Sequence, residues 1–133
     1  MGKISSFLIG YQQHGLAILR VSSAMLFLQH GTTKLLGFPL TRYSDMPLLT
    51  LGGAAGAIEL IGGIMLALGL LTRPVAFIMS GTMAVAYFYA HASRDFFPIL
   101  NGGELAALYS FVFLFITVAG GGKWCLDNRI FGK

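Results

Sequence analysis

The segment LLTLGGAAGAIELIGGIMLALGLLTRP, residues 48–74, decides the fold. Residues 48–71 are apolar over a length that suits a membrane-spanning helix, which needs about 20 mostly apolar residues. The TRP that follows is a tight connection, because Pro74 fits the first turn of a new helix. The segment therefore predicts two consecutive membrane helices that run in opposite directions.

The composition of the whole chain also indicates a membrane protein. Of 133 residues, 56% are hydrophobic and 11% are charged, whereas soluble domains carry about 25% charged residues. The net charge of +4 comes from scattered Lys and Arg residues without a basic run. The lipid bilayer is therefore the expected partner, and nucleic acid is not expected to be one.

Four segments qualify as spans, which predicts an all-α membrane protein folded as a four-transmembrane-helix bundle. They lie at about residues 15–36, 48–71, 74–91 and 104–119. Each should be helical, because backbone polar groups must be paired inside the bilayer. A short interfacial amphipathic segment, residues 4–11, is expected before the first span, and residues 1–133 are expected to form a single domain.

The distribution of basic residues predicts the orientation. Four spans put both termini on one side, which also receives most of the Lys and Arg residues: Lys3, Arg73, Lys123, Arg129 and Lys133. Loops on the other side hold Arg42 and Arg94, each accompanied by an aspartate, and Lys34 ends the first span. The bias places both termini in the cytoplasm.

Glycines in the second span predict close helix packing. Gly52-x-x-x-Gly56 allows a neighbouring helix to approach closely. The motif fits a compact bundle, and it fits a homodimer interface equally well.

Ionisable residues within the spans are the candidate functional residues, because a charge in hydrocarbon normally faces a partner or a wet cavity. In the first span Arg20, His30 and Lys34 share one helical stripe. Glu59 lies at the middle of the second span. Given alternating helix directions and a rise of about 1.5 Å per residue, four residues should converge on the outer half of the bundle: His30, Lys34, His91 and Glu104.

These residues predict a polar pocket that opens to the outer side and has Glu59 as its floor. Arg20 lies on the inner side without a predicted partner. Other interpretations remain for each group. Lys34 and Arg20 could extend to the two interfaces, and His91 could be interfacial. Glu59 could form a structural ion pair or be protonated, and Glu104 could stabilise a helix N-terminus.

Metal and thiol chemistry receive little support from the residues. Among the His and Glu candidates no pair has i, i+3 or i, i+4 spacing within one helix, so no metal site is predicted. Cys125 is the only cysteine, which excludes an intrachain disulfide or a CxxC redox pair. We interpret it as a buried thiol near a helix end.

Four stretches resemble the DoxX family (DoxX/DoxD-like) of small bacterial inner-membrane proteins. They are LRVSSAMLFLQHGTTKLLGF (19–38), GAIELIGGIMLALGLLTRPVAF (56–77), AVAYFYAHASRDFFPILNGGELAALY (84–109) and GGGKWCLD (120–127). Family members usually end near WSLD, and Cys125 stands at the serine position. The positions that match the motifs are His30, Gly31, Lys34, Glu59, Gly62, Gly63, Thr72, Arg73, His91, Asn101, Gly102, Gly103 and Glu104.

The resemblance implies a multi-pass protein of the bacterial cell inner membrane with a redox association, because the family name derives from quinol-oxidase and thiosulfate:quinone oxidoreductase systems. It implies no particular reaction, so whether the chain is an enzyme is left open. A quinone is the candidate cofactor. Without an electron carrier of its own, the chain would need a redox partner subunit.

The leading hypothesis is a pocket for a quinone or a similar small amphipathic ligand. Glu59 and Glu104 would exchange protons, and His30 and His91 would donate hydrogen bonds to carbonyl oxygens. The expected ligand-binding residues are Lys34, Arg20, Tyr87, Phe88 and Asn101, and Phe96 and Phe97 would help to line the ring slot.

Two hypotheses come from other classes. The first is a structural or assembly subunit, in which the polar residues only specify helix pairing. The second is a small-solute or proton pathway, for which a dimer could supply the half that four spans lack.

Overall fold

The computed structural model describes residues 2–132, apart from the side chain of Lys3. The described residues form helices and connections without a strand, so the all-α class is confirmed. In chain order the helices are α1 Lys3–Gly10, α2 Gln12–Leu36, α3 Leu51–Leu68, α4 Thr72–Ala90, α5 Pro98–Asn101, α6 Glu104–Ala119 and α7 Leu126–Ile130.

The four long helices α2, α3, α4 and α6 coincide with the four predicted segments. Their ends follow local signals. The Thr50 hydroxyl accepts a hydrogen bond from the backbone N–H of Gly53 and so caps the start of α3. Gly37 and Gly69 end α2 and α3 in the left-handed conformation, at φ values of 63° and 71°. Helix α1 matches the predicted amphipathic segment within one residue at each end.

Helix α3 has the length and composition of a membrane span by itself. Among the described residues it alone combines sufficient length with sufficient hydropathy, and α6 is a shorter apolar helix of 16 residues. Helix α2 is longer, at 25 residues, but carries Arg20, Lys34 and several glutamines. Any insertion of α2 therefore depends on how the bundle satisfies its polar side chains.

The bundle consists of two closely packed helix pairs. Helix α2 packs along α3, and α4 packs along α6, while contacts between α3 and α4 and between α2 and α6 are less extensive. The core between the pairs is aromatic where α2 meets α6. Phe27 lies 4.9 Å from Phe113 and 5.2 Å from Tyr109, measured between ring centroids, and both contacts are edge-to-face.

Glycines bring α2 and α3 together, as the sequence predicts. A Cβ atom on Gly31 would overlap the backbone of Glu59 and Leu60, and one on Gly63 would press on Leu28. Gly56 faces Lys34 in the same interface, which assigns it a role within the bundle. Gly52 instead faces Met46 in the connection that precedes α3.

We expect the substitution Gly31→Ala to destabilise the protein by about 1–3 kcal/mol, because the two backbones must move apart to admit a methyl group. Thermal unfolding in detergent micelles would measure the loss. The matched control is Gly81→Ala, where the added methyl group would meet no atom within 4 Å. Equal stability of the two variants would contradict close packing at Gly31.

Candidate functional site

The centre of the candidate site is an ion pair between α2 and α3. The Lys34 ammonium lies 2.7 Å from Oε1 of Glu59, and the two side chains are 16% and 2% exposed. The Lys34 side chain therefore points toward Glu59 on the neighbouring helix and does not extend to the end of α2. A charge as deeply buried as Glu59 needs such a partner, because the cost of removing it from water is several kcal/mol.

The second oxygen of Glu59 is the exceptional atom of the site. Oε2 is buried and has no hydrogen-bond partner among the described residues. Buried polar atoms are nearly always satisfied, and an unsatisfied one calls for a physical explanation. The ion pair fixes the position of the carboxylate, so Oε2 is a buried hydrogen-bond acceptor that lacks a donor in the described part of the chain.

His30 stands beside this pair on the same face of α2 as Lys34. Its ring is exposed, and it is close enough to interact electrostatically with both Glu59 and Lys34. The ring centroid lies 6.2 Å from that of Phe27 and 6.4 Å from that of Tyr109. The structure thus brings together three of the predicted site residues, and two aromatic rings adjoin them.

His91 and Asn101 belong to a second polar group, near the end of α4 and the start of α6. The backbone carbonyl of Asn101 lies 3.2 Å from His91 Nδ1. The buried Asn101 side chain donates to the carbonyl of Asp95 and to the Tyr87 hydroxyl, and it accepts from the N–H of Gly103. These bonds fold the connection between α4 and α6 over the helix ends.

Only some of the polar residues that were predicted to converge lie close to Glu59. No hydrogen bond or ion pair between described residues joins His91 or Glu104 to Glu59. Glu104 is exposed in the first turn of α6, where the helix dipole favours an acid. Phe88, Phe96 and Phe97 are exposed. A role for these residues in ligand binding stays a prediction.

Arg20 closes the opposite end of the bundle. The guanidinium is fully buried and donates five hydrogen bonds to backbone carbonyls. Two of these belong to Leu66 and Ala67 in the last turn of α3, at 2.6 Å each, where the helix dipole favours a cation. The acceptors are carbonyls of α3 and of the segment after α6: Leu66, Ala67, Gly121, Lys123 and Trp124.

The same end gives Cys125 a structural role. Its buried thiol donates to the carbonyl of Gly69 at 3.0 Å and lies 3.4 Å from the hydroxyl oxygen of Thr72. A serine hydroxyl could donate to the same carbonyl. The sequence offered no signal for this contact, because Gly69 and Cys125 are 56 residues apart.

Asp127 caps the start of α4 from the C-terminal segment. Its carboxylate accepts hydrogen bonds from the N–H groups of Leu71, at 2.7 Å, and Thr72, at 2.8 Å. Burial tends to raise the pKa of Asp127, but the hydrogen bonds from Thr72 and Leu71 outweigh it and hold the pKa below its ordinary value. The capping interaction is therefore fully present at neutral pH and is lost only as acid protonates the carboxylate.

We expect the Lys34–Glu59 pair to behave as a buried unit in a double-mutant cycle. Lys34→Met alone leaves Glu59 uncompensated and should cost about 3–5 kcal/mol of unfolding free energy. Glu59→Leu alone should also destabilise, and the double variant should recover most of the loss because neither charge then remains. Denaturant unfolding in detergent would measure all four proteins, and additive single effects would contradict the pairing.

Comparison with known proteins agrees with the features above. The sequence model of the DoxX family matches residues 15–92. A protein of Haemophilus influenzae strain Rd, described as "Uncharacterized protein", is 46% identical over 131 residues, which cover 92% of this chain and 96% of that protein. No solved structure matches the chain. The family match includes α3 and α4, the Lys34–Glu59 pair and Arg20, and this chain belongs to the DoxX family of membrane proteins.

Proposed function

We propose that this protein crosses the bacterial inner membrane four times, with α2, α3, α4 and α6 as its spans and both termini in the cytoplasm. Membership of the DoxX family supports insertion, and the contacts of α2 with α3 and of α4 with α6 are those of antiparallel helices. At the end that carries Arg20, the His14 ring is tilted against that of Tyr11 and edge-to-face with that of Trp124, at centroid distances of 5.6 Å and 5.5 Å. Aromatic residues concentrate at membrane interfaces, which supports the placement of that end.

The proposed function is the binding of a small amphipathic ligand of the quinone type, in a redox-associated role, at Lys34, Glu59 and His30. The observation that carries the proposal is Glu59 Oε2, a buried acceptor without a partner among the described residues. A hydroxyl of a reduced quinone would satisfy it, and the carboxylate could accept the hydroxyl proton on oxidation. His30 offers a donor for a carbonyl oxygen, and the Phe27 and Tyr109 rings offer apolar contact.

In that oxidation the two electrons would pass from the reduced quinone to a redox partner subunit, while Glu59 accepts one of the two protons. The site residues named above move protons and form hydrogen bonds, and none of them is a usual carrier of electrons. The proposal therefore assigns to this chain the binding and protonation of the ligand, and to its partner the electron transfer.

A structural or assembly subunit is the second candidate. The observation that favours it is the Lys34–Glu59 bond itself, because the pair joins α2 to α3 directly. On this hypothesis the polar residues only specify which helices pair. Crosslinking in native membranes would identify a stable partner whose contact survives Glu59→Gln and His91→Ala.

The topology is tested with single cysteines in a Cys125→Ser background. We expect an impermeant maleimide to label Ser93→Cys, in the connection between α4 and α6, in intact spheroplasts. Asn128→Cys, in α7, should be labelled only after permeabilisation, because that end faces the cytoplasm. Labelling in the reverse pattern, or of both sites from outside, would overturn the proposed orientation.

Ligand binding is tested with the full chain in nanodiscs of native lipid. A short-chain benzoquinone, followed by its absorbance, should bind to the native protein and to the control Asp45→Asn, an acid-to-amide change in an outer connection. Binding should fall strongly in Glu59→Gln and in His30→Ala. Since His30 is exposed, the second variant should unfold at nearly the native temperature. Equal binding by all four proteins, or by none, would refute the assignment.

A further inference from the structure

We infer that the Lys34–Glu59 site opens sideways, between α2 and α6, so that the ligand is an amphiphile dissolved in the bilayer. This inference rests on the proposed function for the identity of the ligand. The direction of the opening is a separate property of the fold, and it differs from the outward-facing pocket that the sequence predicts.

The depth of the site is set by the contact between α2 and α3. Gly31 lies against the backbone of Glu59 and Leu60, so His30 is level with the middle of α3. Six residues separate His30 from Leu36, the last residue of α2, which corresponds to about 9 Å of helix rise. His30 therefore lies well below the outer end of the bundle.

At this depth an exposed side chain must face the side of the bundle. His30 is exposed, whereas Phe27, three residues earlier on α2, is completely buried. In a four-span protein the side of the bundle adjoins hydrocarbon. An imidazole that faces hydrocarbon costs free energy unless a polar group binds to it, because ionisable side chains rarely face lipid.

The exposed histidine lies at one of the two loose seams of the bundle. Helix α2 contacts α6 much less extensively than it contacts α3. The rings of Phe27 and Tyr109 form the inner wall of this seam, and the His30 ring stands over the edge of Tyr109. On α6 the neighbouring outer surface is apolar, with Leu105 and Leu108 50% and 60% exposed.

This arrangement fits a ligand with a polar head and an apolar tail. Because Phe27 is completely buried and Tyr109 is 7% exposed, α2 and α6 must move apart to admit the ligand. The head would then pass His30 and reach Glu59 Oε2, its ring would lie against Phe27 and Tyr109, and its tail would remain among the lipid chains. The opposite seam, between α3 and α4, forms a groove of about 240 Å³ lined by apolar residues such as Ile61 and Met79. Because that groove offers no polar group to a head, we assign the opening to the α2–α6 seam.

The test uses nitroxide spin labels in the full chain, reconstituted in liposomes in the Cys125→Ser background. Collision rates are measured with oxygen, which concentrates in lipid, and with a neutral nickel chelate, which stays in water. The label is placed at His30→Cys. The lipid reference is Ile61→Cys, 60% exposed on α3 next to Leu60, and the water reference is Ser93→Cys in a connection.

A sideways opening predicts that position 30 matches position 61, with a high oxygen rate and a low nickel rate. If position 30 matches position 93, the site opens to water, and if it is shielded from both reagents, the seam is closed. Either result overturns the inference. Leu26→Cys lies one turn along the same face of α2 and gives the same readout should His30→Cys perturb the fold.

The outcomes separate this inference from the proposed function. A lipid-like pattern at position 30 without quinone binding would refute the ligand and leave the side opening in place. Quinone binding together with a water-like pattern would refute only the side opening.

Discussion

Neither Glu59 nor Arg20 can reach water, and the helix bundle is arranged so that protein groups satisfy both charges. Glu59 is held by Lys34 at the level where α2 and α3 approach most closely. Arg20 is held by five carbonyls at the other end. Because the penalty for an unpartnered buried charge is several kcal/mol, these two contacts constrain the register and direction of the long helices.

The two charges differ in how completely they are satisfied. Each N–H group of Arg20 has carbonyl acceptors within reach, so its network is closed and stabilises one geometry. Glu59 keeps one oxygen without a partner. A closed network suits a structural end of a molecule, and an incomplete one suits a place where something binds. Two buried side-chain atoms lack a partner among the described residues, Glu59 Oε2 and His14 Nδ1 near the Arg20 end. We place function in the half that holds Glu59 because there the unpartnered atom belongs to a buried charge.

Much of the fold could be predicted from sequence because it follows from local patterns. Hydrophobic length predicted the four long helices, and the glycines of the second span predicted close packing, which Gly56 and Gly63 make against α2. The still closer contact at Gly31 was not predicted. Helix periodicity placed Lys34 on the polar stripe of the first span, and sequence position placed Glu59 at the middle of the second. The ion pair between them was one of the alternatives left open, and the structure shows it. Periodicity constrains which face a residue occupies, and alternating direction constrains its depth.

Contacts made with backbone carbonyls could not be predicted in the same way. The partners of Arg20 carry no distinctive side chain, and three of them come from a segment about a hundred residues later. Likewise, the side chain of Asn101 looked available for a ligand, but it is used to fold its own connection. Every residue has a backbone carbonyl, and the sequence does not show which carbonyls will lack a helical hydrogen-bond partner. Acceptors of this kind can therefore be identified only in the folded structure.

The five carbonyl contacts of Arg20 also bear on how the chain is assembled during synthesis. Arg20 and the end of α3 are made first, and Gly121, Lys123 and Trp124 follow Arg20 by 101, 103 and 104 residues. Until they arrive, the guanidinium has only the two acceptors of α3, and the end of the bundle that holds Arg20 remains incomplete. The segment after α6 thus completes the hydrogen bonds of Arg20, and this network forms only after α6 has been synthesised.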